Sequence, residues 1–183
     1  MTVDEQLDAR FRAAAIREGL IDVRYDVIDS PVGELAIAAT DSGLCRISYE
    51  VEGFDDELVR VFGARVLRAP LDDVHRELDE YFDGTRRTFD LPLDLRVARF
   101  HEEVLTALDR VPYGATTTYG ALARDAGHPT AARAVGTVMN RNPIPIVLPC
   151  HRVVGANGSL TGYAGGLDRK RLLLRLEGAT LAP

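Results

Sequence analysis

The chain has 183 residues, 46% of them hydrophobic and 27% charged, the composition of an ordinary soluble globular protein with room for one substantial core or two small ones. No apolar run approaches the roughly 18 to 20 residues that span a bilayer, and the amino terminus carries Asp4, Glu5 and Asp8 where a signal peptide would be basic, so a cytoplasmic location is expected. The net charge of −6 is unevenly spread: residues 1–96 hold 12 cations and 22 anions, residues 97–183 hold 10 and 6, so the second half suits a polyanion, although a mildly basic surface also explains it.

Residues 4–18 place Leu7, Phe11, Ala14 and Ala15 on one face before Gly19, which predicts a short amphipathic helix. "VRYDVID", "ELAIAA" and "LCRISYE" read as three short strands split by turns at 30–33 and 40–43, an antiparallel meander. Cys45 falls in the third strand and reads as a small buried hydrophobe. Helical patterns follow near 55–62 and 71–82; His75 lies on the second and is given no function. "TFDLPLDLR" is extended and leads to a boundary near residue 96.

From Val97 the pattern turns helical, with Val97, Phe100, Val104, Leu105 and Leu108 in one stripe, and His101, Glu102 and Glu103 on a solvated face. "TTTYGALARDAG" offers Thr118 as an N-cap and Gly127 as a stop, and "HPTAARAVGTVMN" puts Pro129 in a first helical turn and ends at Asn140. This helix, turn, helix has a second member of small residues, with Arg133 its only long cation, which suits either tight packing or insertion into a nucleic-acid groove. Pro143, Pro145 and Pro149 exclude a helix in "NRNPIPIVLPCHRVVG", which is expected to be a stiff, extended strand. A glycine-rich loop, "ANGSLTGYAGG", and a last helix, "LDRKRLLLRLEG", complete the chain.

Two cysteines make no disulfide framework, and with four scattered histidines they match no paired zinc spacing, so no metal is expected. Lys170 is the only lysine beside 21 arginines, a bias assigned to coding and not to chemistry. Cys150 is packed, metal-bound or nucleophilic; a thiol carried to the rim of a glycine-rich loop favours the nucleophile, with His151 and Arg152 at hand to lower its pKa. Glu177 is a candidate to orient the imidazole, because a carboxylate at a helix C-terminus faces the negative end of the dipole and needs another partner; a plain surface glutamate is the alternative.

"PCHRVV", with "NPIPIVL" before it and "GYAGGLDRKRLLLRLEG" after, resembles the signature of the O6-alkylguanine-DNA alkyltransferases, or methylated-DNA–protein-cysteine methyltransferases. The resemblance runs from about Val97 to Gly178 and includes "TTTYGALA" and "AARAVGTVMNRNP". It implies an α+β fold: a ribonuclease-H-like antiparallel sheet domain over 1–96, and over 97–183 a mostly helical domain with a helix-turn-helix and the active cysteine.

For function it implies direct reversal: Cys150 takes the alkyl group from O6-alkylguanine in DNA, and O4-alkylthymine is a second substrate it admits, in a single irreversible turnover without cofactor. His151, acting through a water and held by Glu177, removes the thiol proton; Asn142 ties the turn before the cysteine to the helix pair. The base must leave the stack, at a cost of a few kcal/mol. Arg133 fills its place while the small helix, with Ala134 and Gly136, lies in the minor groove, and Tyr119 helps rotate the nucleotide and protonates the departing guanine. Met139, Pro145 and residues 160–165 form the pocket, with Leu160 in its wall, the amides of Tyr163 and Ala164 near the guanine oxygen and the Val153 carbonyl on the exocyclic amine.

The expected partner is double-stranded DNA bound by a monomer, with no membrane and no metal. Ala164 stands where some members have serine, and Thr161 and Thr137 stand beside Gly162 and Gly136, so a hydroxyl contact is lost and groove fit altered. A cysteine hydrolase lacks its local signatures here. A binding-only relative would carry another residue in place of Cys150, and a transcriptional regulator would need a further DNA-binding domain.

Overall fold

In the computed structural model, which describes residues 3–63 and 65–180, the sheet is built on the most apolar of its strands. Strands β1 (Val23–Ile28), β2 (Leu35–Thr40) and β3 (Gly43–Ser48) form the expected antiparallel meander. Every residue of β2 is buried, because the strand is covered on both sides. Its odd-numbered side chains, Leu35, Ile37 and Ala39, join the main core, while Ala36 and Ala38 face a smaller cluster with Cys45, Phe54 and Leu58 under helix α2 (Phe54–Phe62). A fourth strand, β4 (Val66–Arg68), adds to β1 in parallel, so the order is β3-β2-β1-β4 and the sheet is mixed.

Helix α1 (Val3–Arg17) forms where expected, but its apolar stripe is not a core face. Leu7 is 64% and Phe11 73% exposed, and of the stripe only Ala15 is buried. The main sheet face is instead taken by helix α3 (Asp72–Phe82), which buries Val74, Leu78 and Tyr81. Segment 88–96 then runs extended against β3, exchanging Leu44 N–H to Pro92 O and Asp94 N–H to Leu44 O, and it passes so close to Gly43 that a side chain there would meet the Pro92 carbonyl.

The second half starts with helix α4 (Arg99–Asp109), whose Val104, Leu105, Ala107 and Leu108 pack into the same core as Ile37 and Leu78. The two halves therefore share one continuous interior. A two-residue strand β5 (Thr117–Thr118) leads into α5 (Tyr119–Asp125), where the Thr118 hydroxyl accepts from Ala121 N–H as the N-cap it was expected to be. Helix α6 (Ala132–Asn140) begins later than the sequence suggested, and Pro129 lies in a turn ahead of it, not in its first turn.

Segment 141–149 corrects the expected strand. It is a succession of turns, closed by Leu148 N–H to Ile144 O and including Ile146 at φ +76°, and Cys150–Arg152 is a short 3-10 turn before strand β6 (Val153–Val154), which pairs in parallel with β5. Three prolines remove backbone donors, and they serve a folded loop as readily as an extended one. Helix α7 (Leu167–Leu176) follows and places Glu177 at its C-cap, ahead of Gly178 at φ +70°. No helix among the described residues is long and apolar enough to cross a membrane.

Candidate active site

Two hydrogen bonds hold the turn that presents the cysteine. The Asn142 side chain donates to Leu148 O at 2.7 Å and accepts from Ile144 N–H at 3.1 Å, so one amide stitches both sides of the proline-rich loop together. Cys150 then opens the 3-10 turn at 4% exposure, lining a cavity of about 510 Å³ with Met139, Asn142, Pro145, Tyr163 and Ala164. Tyr49 and the end of β3 supply the opposite wall.

Behind the cysteine lies a buried charge network centred on Glu177. His151 Nε2 lies 2.8 Å from Glu177 Oε1, and Arg152 grips the same carboxylate with both Nε and Nη2 at 2.9 Å while its Nη1 donates to Val111 O. Tyr81 donates to Oε1 at 2.8 Å and Gly114 N–H to Oε2 at 3.2 Å. Burial pushes the Glu177 carboxyl up, but the bonds from His151 and Arg152 overcome that and hold it at about 2. This bidentate arginine is the partner that a carboxylate at a helix C-terminus requires.

The proton positions on His151 follow from these partners. An ionised carboxylate only accepts, so Nε2 carries the hydrogen. Burial lowers the pKa of the imidazole despite Glu177, so the ring is neutral and Nδ1 holds a lone pair. That Nδ1 is buried and has no hydrogen-bond partner. It is the one basic atom of the network left unused.

Burial pushes the Cys150 thiol up to about 11, against the Asn142 amide, the Lys170 ammonium and the backbone N–H groups of residues 150 and 151. Arg152, read from the sequence as a cation for the thiol, is committed to Glu177 instead. The cation that acts on the thiol is Lys170. It is fully buried, and its Nζ donates to Val153 O at 2.6 Å and Thr161 O at 2.8 Å, tying the strand after the cysteine to the glycine-rich loop. Burial lowers its own pKa to about 8. The sequence feature that sets it apart is that it is the one lysine beside 21 arginines.

Of the other expected site residues, Met139, Pro145, Tyr163 and Ala164 stand around the cavity, whereas Leu160 and Val153 lie outside its lining and the Val153 carbonyl already accepts from Lys170. Tyr119 begins α5, against Gly136 of α6, with its hydroxyl 3.4 Å from Thr161 O. Arg133 and Ala134 are exposed on α6. Cys45 packs in the smaller cluster under α2 and does not line the cavity: its thiol donates to Ala38 O, and burial pushes it up to about 12. Among the described residues no group of three or more His, Cys, Asp or Glu side chains is placed to hold a metal.

Comparison with known proteins finds two family models on the chain. That of the 6-O-methylguanine DNA methyltransferase ribonuclease-like domain matches residues 23–95, and that of the DNA binding domain of the same family matches residues 99–179. The methylated-DNA–protein-cysteine methyltransferase of Methanosarcina acetivorans is 40% identical over 164 residues, covering 85% of this chain and 98% of its own, and that of Mycolicibacterium paratuberculosis is 43% identical over 161 residues, covering 85% and 92%. Among solved structures, Mycobacterium tuberculosis OGT in complex with DNA matches with a TM-score of 0.76 at 41% identity, over 85% of this chain and 92% of that one.

Proposed function

The chain belongs to the 6-O-methylguanine DNA methyltransferase family and is a DNA-repair enzyme that moves an alkyl group from DNA to a cysteine of its own; on that premise we propose that Cys150 is the acceptor. The observation that supports this most is the placing of Cys150 between a cavity on one side and, through the next residue, a neutral imidazole backed by an ionised carboxylate on the other. That is the nucleophile, base and orienter arrangement.

The step balances as a displacement. His151 Nδ1 takes the Cys150 proton through a water, and the imidazolium that forms is stabilised by Glu177. The sulfur attacks the alkyl carbon, the S–C bond forms as the C–O6 bond breaks, and the electron pair passes to the guanine, which takes a proton from Tyr119; Tyr119 regains a proton from water as the His151 imidazolium gives its own up to water. Lys170 and the backbone N–H groups stabilise the thiolate on the way. An alkyl thioether has no good leaving group, so each molecule acts once.

A thiol at 4% exposure cannot touch a base stacked in a duplex, so the guanine must be extruded into the cavity. Arg133, exposed on the small-residue face of α6, is the group to occupy the vacated stack while that helix lies in the minor groove, and α5 and α6 act as a helix-turn-helix. The same reading takes residues 1–96 and 97–183 as the two domains of a cytoplasmic monomer that needs neither metal nor cofactor. The test is to incubate the protein with a duplex bearing one O6-methylguanine, beside one bearing O4-methylthymine, and map adducts by mass spectrometry. Methyl on Cys150 in step with loss of the O6-methylguanine is expected; an unmodified Cys150 with that lesion intact rejects the proposal.

A further inference from the structure

The wall of the cavity opposite the helix pair comes from the sheet half of the chain. Tyr49, just beyond the end of β3, lines the same cavity as Cys150, and its hydroxyl lies 2.5 Å from that of Tyr163 in the glycine-rich loop. The two rings meet edge to face with centroids 6.0 Å apart. The loop backbone passes between them so closely that a Cβ on Gly165 would stand 2.5 Å from Tyr49 and 2.8 Å from Tyr163. Only glycine fits there.

Tyr49 is itself held by a second group of the cavity wall. The Arg169 guanidinium lies 4.9 Å from its ring centroid while donating to Val32 O in the sheet half and to Gly165 O in the loop. A further bond, Ile47 N–H to Pro143 O, fixes the end of β3 to the turn before the cysteine. Burial pushes both phenols up, and the charge of Cys150 adds to it in each, as expected of rings that share the sulfur's cavity.

A ring tied at its hydroxyl to Tyr163 and covered by the Arg169 guanidinium cannot yield without cost, so it limits what the cavity admits. We propose that Tyr49 is a specificity-determining residue: with Tyr163 it forms the wall that bounds the size of the alkyl group delivered to Cys150, which gives the sheet domain a direct part in substrate choice. The proposal rests on the alkyl-transfer reading above. Tyr163 lies in the loop expected to form the pocket, whereas Tyr49 is reached only through the tertiary structure.

The test is single-turnover transfer from duplexes bearing O6-methylguanine or O6-benzylguanine, using the full chain and the variants Tyr49→Leu and Tyr49→Phe. Tyr49→Leu removes the ring and is expected to raise the benzyl-to-methyl rate ratio by about tenfold, the scale on which pocket shape discriminates apolar groups. Tyr49→Phe keeps the ring but frees it from Tyr163, and a rise of about threefold is expected on the same grounds. A purely structural role would slow both substrates together and leave the ratio alone. A ratio in Tyr49→Leu that is unchanged or lower overturns the proposal if the wild-type protein repairs O6-methylguanine, and so does a Tyr49→Phe ratio that fails to rise if Tyr49→Leu does not fold. A wild-type protein inert toward both lesions overturns the alkyl-transfer reading instead.

Discussion

The hydroxyl of Tyr81, on a helix of the sheet domain, donates to Oε1 of Glu177 at 2.8 Å, the same oxygen that faces His151. The carboxylate behind Cys150 is therefore set partly by the other half of the chain. Tyr81→Phe removes one charge-assisted, fully buried hydrogen bond with little change of volume. It is expected to cost about 1.5 to 3 kcal/mol in urea denaturation and to slow methyl transfer several-fold. An unchanged midpoint and rate would mean that the bond contributes nothing.

Lys170 is expected to be irreplaceable by arginine. Lys170→Met leaves the buried Val153 carbonyl without this donor, at roughly 1 to 3 kcal/mol, releases the exposed Thr161 carbonyl, and removes the cation that acts on the thiol. Lys170→Arg keeps the charge but overfills a site with no exposure. Cys150 alkylation by iodoacetamide, followed against pH, should shift to higher pH in the methionine variant, and repair should slow in both. An arginine variant with wild-type repair would show that charge alone matters.

Acid should destabilise the fold in two stages that run the same way. The Glu177 carboxyl, at about 2 when folded against 4.5 when unfolded, contributes stability that is complete above pH 4.5 and lost as pH falls through 2, up to roughly 3 kcal/mol. Burial lowers the pKa of His151, so below pH 6.5 the unfolded chain takes up a proton that the folded one resists, and stability falls there as well. Denaturation midpoints measured from pH 2 to pH 8 should rise to about pH 6.5 and then level for these two groups. In Glu177→Gln the lower stage should vanish from an already weakened protein.

Arg133→Ala should separate flipping from chemistry. Repair of duplex DNA is expected to slow by at least tenfold, the scale set by a few kcal/mol of unstacking, while reaction with free O6-benzylguanine base is unchanged. Equal slowing of both reactions would remove Arg133 from the flipping step.

The elements read most clearly from the sequence are those whose signals are local. Strands β1 to β3, the α5 N-cap at Thr118 and the helix pair follow from short apolar runs, capping and turn residues within a few positions of one another. Cys150, His151 and Glu177 were marked by chemistry and by the resemblance, and the geometry joins the last two directly. What escaped was tertiary. Tyr49 and Tyr81 meet their partners 114 and 96 residues away, and no periodicity encodes that. Strand β4 is three residues long and exists only because β1 offers an edge. The exposed stripe of α1 shows the converse: an amphipathic pattern says that a face is apolar, not that the fold will cover it.

The single lysine of the chain carries one more consequence. With its ε-amine sealed beneath the loop, every side-chain cation at the surface is a guanidinium or a histidine, and the folded molecule offers amine-directed reagents no side chain to modify. Acylation of Lys170 would thus be a clock for the momentary lifting of the glycine-rich loop. A crosslinker that needs lysine would find the native protein inert, and the same protein labelled would be one that had opened.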